Sequence, residues 1–135
     1  MADVTAIILT KDEEKNLPDC LNSIRSFARR AVVIDSASTD RTCEIAREMG
    51  AEVLVHPFEN YARQFNWGVD AANVQTEWIL RLDADERFPD SLNQKLESVL
   101  ANPQNADANG IMLESDFYFL GRKIRFGGPK KRKIM

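Results

Sequence analysis

The run Trp78-Ile79-Leu80-Arg81-Leu82-Asp83-Ala84-Asp85-Glu86 decides how this chain is read. Four of its first five residues are apolar and none of those five is a turn former, which predicts a short buried strand. The strand stops on carboxylates. In an extended segment, residues two apart share a side. Asp83 and Asp85 are therefore expected to aim their oxygens together, into the crevice beyond the strand's carboxyl end, where open α/β sheets bind ligands. Two hard oxygen ligands suit Mg²⁺ or Mn²⁺ when phosphates complete the shell. Taken alone the pattern is common, and for this stretch by itself a strand followed by a solvated acidic turn is the plainer reading.

The flanking sequence repeats the theme. Val4-Thr5-Ala6-Ile7-Ile8-Leu9 predicts a buried first strand that ends at Thr10-Lys11-Asp12-Glu13-Glu14. Asn16 is expected to cap a helix carrying Leu17, Leu21 and Ile24 at helical spacing, with Pro18 and Asp19 in its first turn. Ala31-Val32-Val33-Ile34 predicts a second strand that ends at Asp35, before the polar turn Ser36-Ala37-Ser38-Thr39-Asp40. A helix with Ile45, Ala46 and Met49 follows, and Gly50 suits its stop. Val53-Leu54-Val55 is a third strand, closed by His56-Pro57. Residues 61–72 read as a helix with Tyr61, Phe65 and Val69 on one face. Beyond the opening run, Pro89 starts a helix with Leu92, Leu96, Val99 and Leu100 on its apolar side, ended by Asn102-Pro103-Gln104-Asn105. Residues 111–113, 117–120 and 123–126 are strand-like, with a turn at Gly121-Arg122. The alternation predicts an α/β fold with a mostly parallel sheet flanked by helices. Three apolar runs end on acidic loops, and in such a sheet those loops share one rim. A bare acidic rim repels itself. It becomes favourable when it holds a cation or accepts hydrogen bonds from sugar and base donors.

Composition sets the outer limits. A length of 135 residues fits one domain with one core, and 44% hydrophobic with 29% charged residues is the balance of a globular chain. No apolar run approaches membrane-spanning length, and the start lacks the basic region of a secretory signal. Cys20 and Cys43 fall in helix-like segments without metal-ligand spacing, so reduced thiols and a cytoplasmic location are expected. The net charge of −3 hides an asymmetry, because residues 117–135 hold seven Lys/Arg and no acid. The division expected is a domain over residues 1–128 and a basic tail over residues 129–135, read as a solvated end rather than an import signal.

Four blocks together resemble the family 2 glycosyltransferases, whose nucleotide-sugar fold is called GT-A. They are Ile7 to Leu17, Val33 to Thr42, Tyr61-Ala62-Arg63-Gln64-Phe65-Asn66-Trp67-Gly68, and Leu82-Asp83-Ala84-Asp85-Glu86. Their order and spacing are similar to the donor-binding N-terminal half of that family. Phe117 to Arg122 followed by Gly127-Gly128 looks loosely like bacterial transferases that add glucose to lipopolysaccharide core.

The resemblance implies roles, each with a plainer counterpart. Thr10 and one of Glu13 or Glu14 would line the nucleotide pocket, where a carboxylate accepts the uracil N–H; otherwise the two glutamates are an exposed helix start. Asp35 would contact uracil or ribose, with Ser36 and Ser38 shaping its loop; otherwise it forms a turn. Arg63, Gln64 and Asn66 match polar positions near the base and diphosphate, with exposed helical residues as an equal alternative. Asp85 would bind the metal directly, and Asp83 would contact ribose or the metal through water, with Arg81 pairing a carboxylate and Glu86 supporting from behind. Asp40 reads as a helix cap, and His56 is given no role.

The implied reaction moves a sugar from a UDP-sugar to an acceptor hydroxyl with inversion, for surface glycan or lipopolysaccharide synthesis. It would use Mg²⁺ or Mn²⁺ and a glycan or lipid-linked acceptor, with no nucleic acid. Peripheral contact with the inner face of the membrane is a further expectation. Inversion needs a general base, and none is identified up to Met135, so the fold is expected to be incomplete at its C-terminus with the base lying beyond. The competing reading is a nucleotide-sugar-binding module without catalysis. A phospho-receiver domain is disfavoured by His56-Pro57 where a third-strand aspartate belongs. A dinucleotide-binding domain is disfavoured by the missing Gly-x-Gly-x-x-Gly after the first strand.

Overall fold

The computed structural model describes residues 1–115, 118–119, 122–123 and 131–134. Its centre is β1 (Ala2–Thr10), whose residues Val4 and Ala6 to Ile8 are fully buried. A strand apolar on both sides needs cover on both sides, and a parallel sheet between helices supplies it. β1 is flanked by β2 (Ala28–Asp35) and β4 (Trp78–Asp83), and β3 (Glu52–Val55) lies outside β2. All three pairings are parallel, in the order β3-β2-β1-β4. The chain steps outward from β1 to β3, then returns across the sheet to β4. That reversal makes the gap between the carboxyl ends of β1 and β4 the topological switch point.

Three helices cover one face. α1 (Leu17–Ile24) buries Leu17, Cys20, Leu21 and Ile24 at the spacing of a single helical stripe. α2 (Thr42–Glu48) contributes Ala46, and Gly50 ends it at φ +85°. α4 (Asp90–Ala101) contributes Leu96. With Val4, Ala6, Ile8, Val33, Leu80 and Leu82 these form the larger core. The opposite face carries α3 (Tyr61–Ala71), where Ile7, Val32 and Ile34 meet Phe65, Trp67 and Val69 in a smaller core. α3 is started by Asn60, whose Oδ1 accepts from Arg63 N at 2.9 Å. Among the described residues no helix is long and apolar enough to cross a membrane.

Several local expectations need correction. Asn16 precedes α1 in a helical conformation and makes no capping bond; its amide donates to Glu13 Oε2 at 2.9 Å instead. The buried line of α3 is Gln64 and Gly68, with Phe65 and Val69 half-buried beside it and Tyr61 66% exposed. Apolar periodicity missed this because glycine carries no hydrophobic signal. A Cβ on Gly68 would stand 2.6 Å from Ile34 Cγ1, so only glycine lets the helix come this close.

The segment expected as a solvated basic tail contains β8 (Lys131–Ile134), paired antiparallel with β5 (Met112–Ser115). The strands expected at 117–120 and 123–126 are described in part, as the pair β6 (Tyr118–Phe119) and β7 (Arg122–Lys123). Gly121, Gly127 and Gly128 lie outside the described residues.

Candidate functional site

The carboxyl ends of β2, β1 and β4 stand side by side. Thr10 pairs with Asp35 across β1–β2, and Leu9 pairs with Asp83 across β1–β4. With strands about 4.8 Å apart, the Asp35 and Asp83 backbones lie on the order of 10 Å from each other. The acidic loops therefore do share one rim. They do not leave it on one side. Side chains alternate along β1: Val4, Ala6 and Ile8 face the larger core, whereas Ile7 and Leu9 face α3. Thr10 and Asp35 follow the first set, and Asp83 follows the second.

The β1 and β2 loops are tied together by their own polar groups. Asp35 is fully buried, and its carboxylate accepts from Thr10 Oγ1 at 2.7 Å, Ser38 N at 2.7 Å and Ser38 Oγ at 2.6 Å. Burial alone would push its pKa up; the bonds from Ser38, from Thr10 and from the Cys43 thiol outweigh burial and hold it below the ordinary aspartate value. The Cys43 thiol is pushed up in turn, by burial first and then by donating to that carboxylate. Around this centre the loops exchange further bonds. Asp12 N donates to Ser38 Oγ at 2.8 Å, and Asp12 Oδ1 accepts from Thr39 N at 2.8 Å. Glu13 N donates to Thr42 Oγ1 and Glu14 N to Asp40 Oδ2, while Glu14 Oε2 accepts from Arg41 N. Lys11 Nζ reaches Ala37 O at 2.8 Å. Asp12 and Ala37 sit at φ +51° and +58°, the left-handed turns that let the two loops face each other. Asp40 accepts from both N and Oγ1 of Thr42, the first residue of α2, but it stands one residue before Arg41, the N-cap position, which makes no side-chain capping bond.

Thr10, Glu13, Glu14 and Asp35 are thus brought together at the rim, and their polar groups are engaged in holding the two loops. The helical candidates are not brought together. Arg63 is exposed and paired with Glu59 at 2.7 Å, and Asn66 is exposed. Gln64 is 1% exposed. Its Nε2 donates to His56 O at 3.0 Å and Ser36 Oγ at 3.2 Å, and its Oε1 meets His56 Nδ1 at 2.9 Å. A carbonyl accepts only, so the His56 O contact fixes which end of the amide is nitrogen. His56 Nδ1 must then carry the proton. The His56 ring also stacks on Trp67, with centroids 4.1 Å apart. Gln64 and His56 thus lock the chain after β3 onto the chain after β2. His56-Pro57 gave no sign of this in sequence, since its partners lie 8 and 11 residues further on.

The β4 loop is built differently. The extended run stops at Asp83 rather than continuing to Asp85. Glu86 N donates to Asp83 O at 3.0 Å and Glu86 Oε2 accepts from Asp83 N at 2.7 Å, folding residues 83–86 into a turn. Ala84 is buried in the larger core and anchors that turn. Asp83 is left half-buried and Asp85 exposed. Neither carboxylate has a hydrogen-bond or ion-pair partner among the described residues. The Arg81 guanidinium lies over the Phe65 ring, 5.4 Å from its centroid. No cluster of three or more His, Cys, Asp or Glu suited to a metal occurs among the described residues. The turn offers two unengaged hard oxygen donors. That fits a Mg²⁺ or Mn²⁺ whose remaining ligands are phosphate and water, and does not fit an all-protein cage.

Comparison with known proteins agrees with this architecture. An uncharacterized glycosyltransferase of Rickettsia bellii is 36% identical over 104 residues, which is 77% of this chain and 34% of that protein. The chain thus spans about a third of the length of such relatives. The S. aureus TarS 1-349 structure in complex with UDP-GlcNAc superposes with a TM-score of 0.62 at 20% identity, covering 92% of this chain and 37% of that one. Glucosyl-3-phosphoglycerate synthase from Mycobacterium tuberculosis, in complex with Mn²⁺, UDP and glucosyl-3-phosphoglycerate, gives 0.51 at 21% identity over 60% of this chain and 33% of that one. At these identities the two structures speak for the fold, GT-A-like with a four-stranded parallel sheet. The family model described as glycosyl transferase family 2 matches residues 5–132, and the chain belongs to that family.

Proposed function

We propose that this chain is the donor-binding part of an inverting, metal-dependent glycosyltransferase that takes a sugar from a UDP-sugar to an acceptor hydroxyl. The observation carrying this reading is the pair of unengaged carboxylates, Asp83 and Asp85, on a braced turn beside the switch point between β1 and β4. Unpartnered charges held in place beside a crevice call for a cation or for hydroxyl donors. Asp85, the more exposed, would hold Mg²⁺ or Mn²⁺, and Asp83 would accept from ribose or from metal-bound water. The ion would supply positive charge against the departing diphosphate. Thr10, Asp35 and the Glu13–Glu14 segment would form the opposite wall, kept rigid by the bonds between the loops. The ligands bound in the two solved structures, UDP-GlcNAc in one and Mn²⁺ with UDP in the other, favour this donor class and ion.

A glycan or lipid-linked acceptor, reached from the cytoplasmic side, fits the same proposal. The likeness to lipopolysaccharide-core glucosyltransferases gains no support from the relatives described above. Calorimetric titration of UDP with and without Mn²⁺, on wild type and Asp85→Ala, tests the reading. Binding that needs the metal in wild type and loses that dependence in the variant is the expected result. UDP binding with the same metal dependence in both proteins would remove Asp85 from the site. A product assay with UDP-sugars then separates transfer from donor binding alone.

A further inference from the structure

Five large hydrophobic side chains are exposed among the described residues, and three of them are grouped where β3 leads into α3: Val55 ends the strand, Phe58 lies in the connection and Tyr61 begins the helix. Tyr61 is 66% exposed and Phe58 50%. Their rings meet edge to face, with centroids 5.2 Å apart and planes at 73°, so each fixes the other's orientation. Exposed apolar patches of this kind mark contact surfaces.

The position of this pair can be derived from the packing of α3. Chain direction takes α3 from the carboxyl rim back toward the start of β4, antiparallel to the strands. Phe65 of α3 lies against Arg81 of β4. Tyr61, one turn earlier, stands about 6 Å closer to the rim than Phe65. Asp83, two residues after Arg81, stands about 7 Å closer to the rim than Arg81. Tyr61 and Asp83 are therefore level, and both belong to the α3 face of the sheet. Charge argues against an anionic membrane as the partner. The one acid in the connection, Glu59, is neutralised by Arg63 at 2.7 Å, and no lysine accompanies it. A neutral planar ring suits this surface better.

We infer that Tyr61, braced by Phe58, is a stacking wall for the base of the nucleoside diphosphate whose ribose and metal meet Asp83 and Asp85. This rests on the donor-binding reading above. It assigns base recognition partly to the α3 face, where an aromatic ring tolerates any base by its π-face. Pre-set ring geometry lowers the ordering cost of that contact.

Titrations of the 135-residue chain with UDP and with inorganic pyrophosphate, both with Mn²⁺, test the inference. Tyr61→Ala is expected to weaken UDP binding about tenfold, within the range that base stacking provides, and to leave pyrophosphate binding unchanged. Tyr61→Phe should bind UDP as wild type does, and Phe58→Ala should fall between. Wild-type UDP affinity in Tyr61→Ala, with Asp85→Ala still defective, overturns the wall and leaves the donor site standing. Absence of UDP binding by the wild type overturns both. Loss of sedimentation with neutral phosphatidylcholine vesicles in Tyr61→Ala, at unchanged UDP affinity, would make the patch a membrane contact and overturn the wall. Both rings are surface groups, so circular dichroism of the variants should match wild type.

Discussion

The two halves of the rim carry the same carboxylates and use them in opposite ways. On the β1–β2 side, Asp12, Glu14, Asp35 and Asp40 all accept hydrogen bonds from the neighbouring loop. On the β4 side, the carboxylates of Asp83 and Asp85 accept none among the described residues, while that of Glu86 grips the backbone N–H of Asp83. The difference lies in where the donors go: Ser, Thr and backbone N–H groups bond the carboxylates of the first side, whereas in the β4 turn the Asp83 N–H is taken by Glu86 and the Glu86 N–H by the Asp83 carbonyl. One half is a structural clamp whose charges are already compensated. The other holds its charge in reserve for a ligand.

Removing one carboxylate from each half should break the symmetry most sharply. Asp35→Ala leaves the Thr10 hydroxyl and both Ser38 donors without their buried acceptor. A loss of about 3–4 kcal/mol in unfolding free energy is expected by urea denaturation. Asp85→Ala should leave the denaturation midpoint within about 0.5 kcal/mol of wild type, as exposed substitutions do. Its cost should appear as a fall of roughly thirtyfold or more in Mn²⁺-dependent UDP affinity, about 2 kcal/mol. Comparable stability losses in the two variants would erase the distinction between clamp and reserve.

Gly68→Ala probes the helix that faces Asp83. Alanine adds up to about 1 kcal/mol of helix propensity, but the new methyl collides with Ile34, and overpacking costs about 1–3 kcal/mol. A net destabilisation of about 1 kcal/mol is expected, and a stabilised variant would show that α3 shifts freely. The mildest test is pH. Asp35 has a lowered pKa in the folded protein, so its contribution to stability is complete above the unfolded value of about 3.9. It fades as pH falls below that value and through the folded one. Acid unfolding of wild type should show this added dependence, and Asp35→Asn should lack it.

The sheet and most helices were legible because their signals are local. Val4 to Leu9 and Trp78 to Leu82 announce buried strands by composition, and the three acidic endings follow from chain order. What the carboxylates do was not legible. Asp35 finds Thr10 twenty-five residues back, and Asp12 finds Thr39 twenty-seven residues on. No spacing rule encodes bonds between neighbouring strand ends. Gln64 read equally as a contact near the base and diphosphate or as an exposed helical residue; its burial depends on the His56 carbonyl and the Ser36 hydroxyl, which meet it only in the folded chain. Asp83 and Asp85 were the converse case. Their type and spacing are enough to nominate them, although a turn closed by Glu86 stands where the pattern predicts an extended segment.

The central place of β1 bears on how the chain matures. Leu9 leaves the ribosome 74 residues ahead of Asp83, its partner on β4. At about 5–20 residues per second, that edge of a largely apolar strand waits several seconds for its neighbour. During that interval the hydrogen-bonding edge of β1 that β4 will cover has no strand beside it. Slowing synthesis between α3 and β4 should therefore raise aggregation more than the same delay placed after β4.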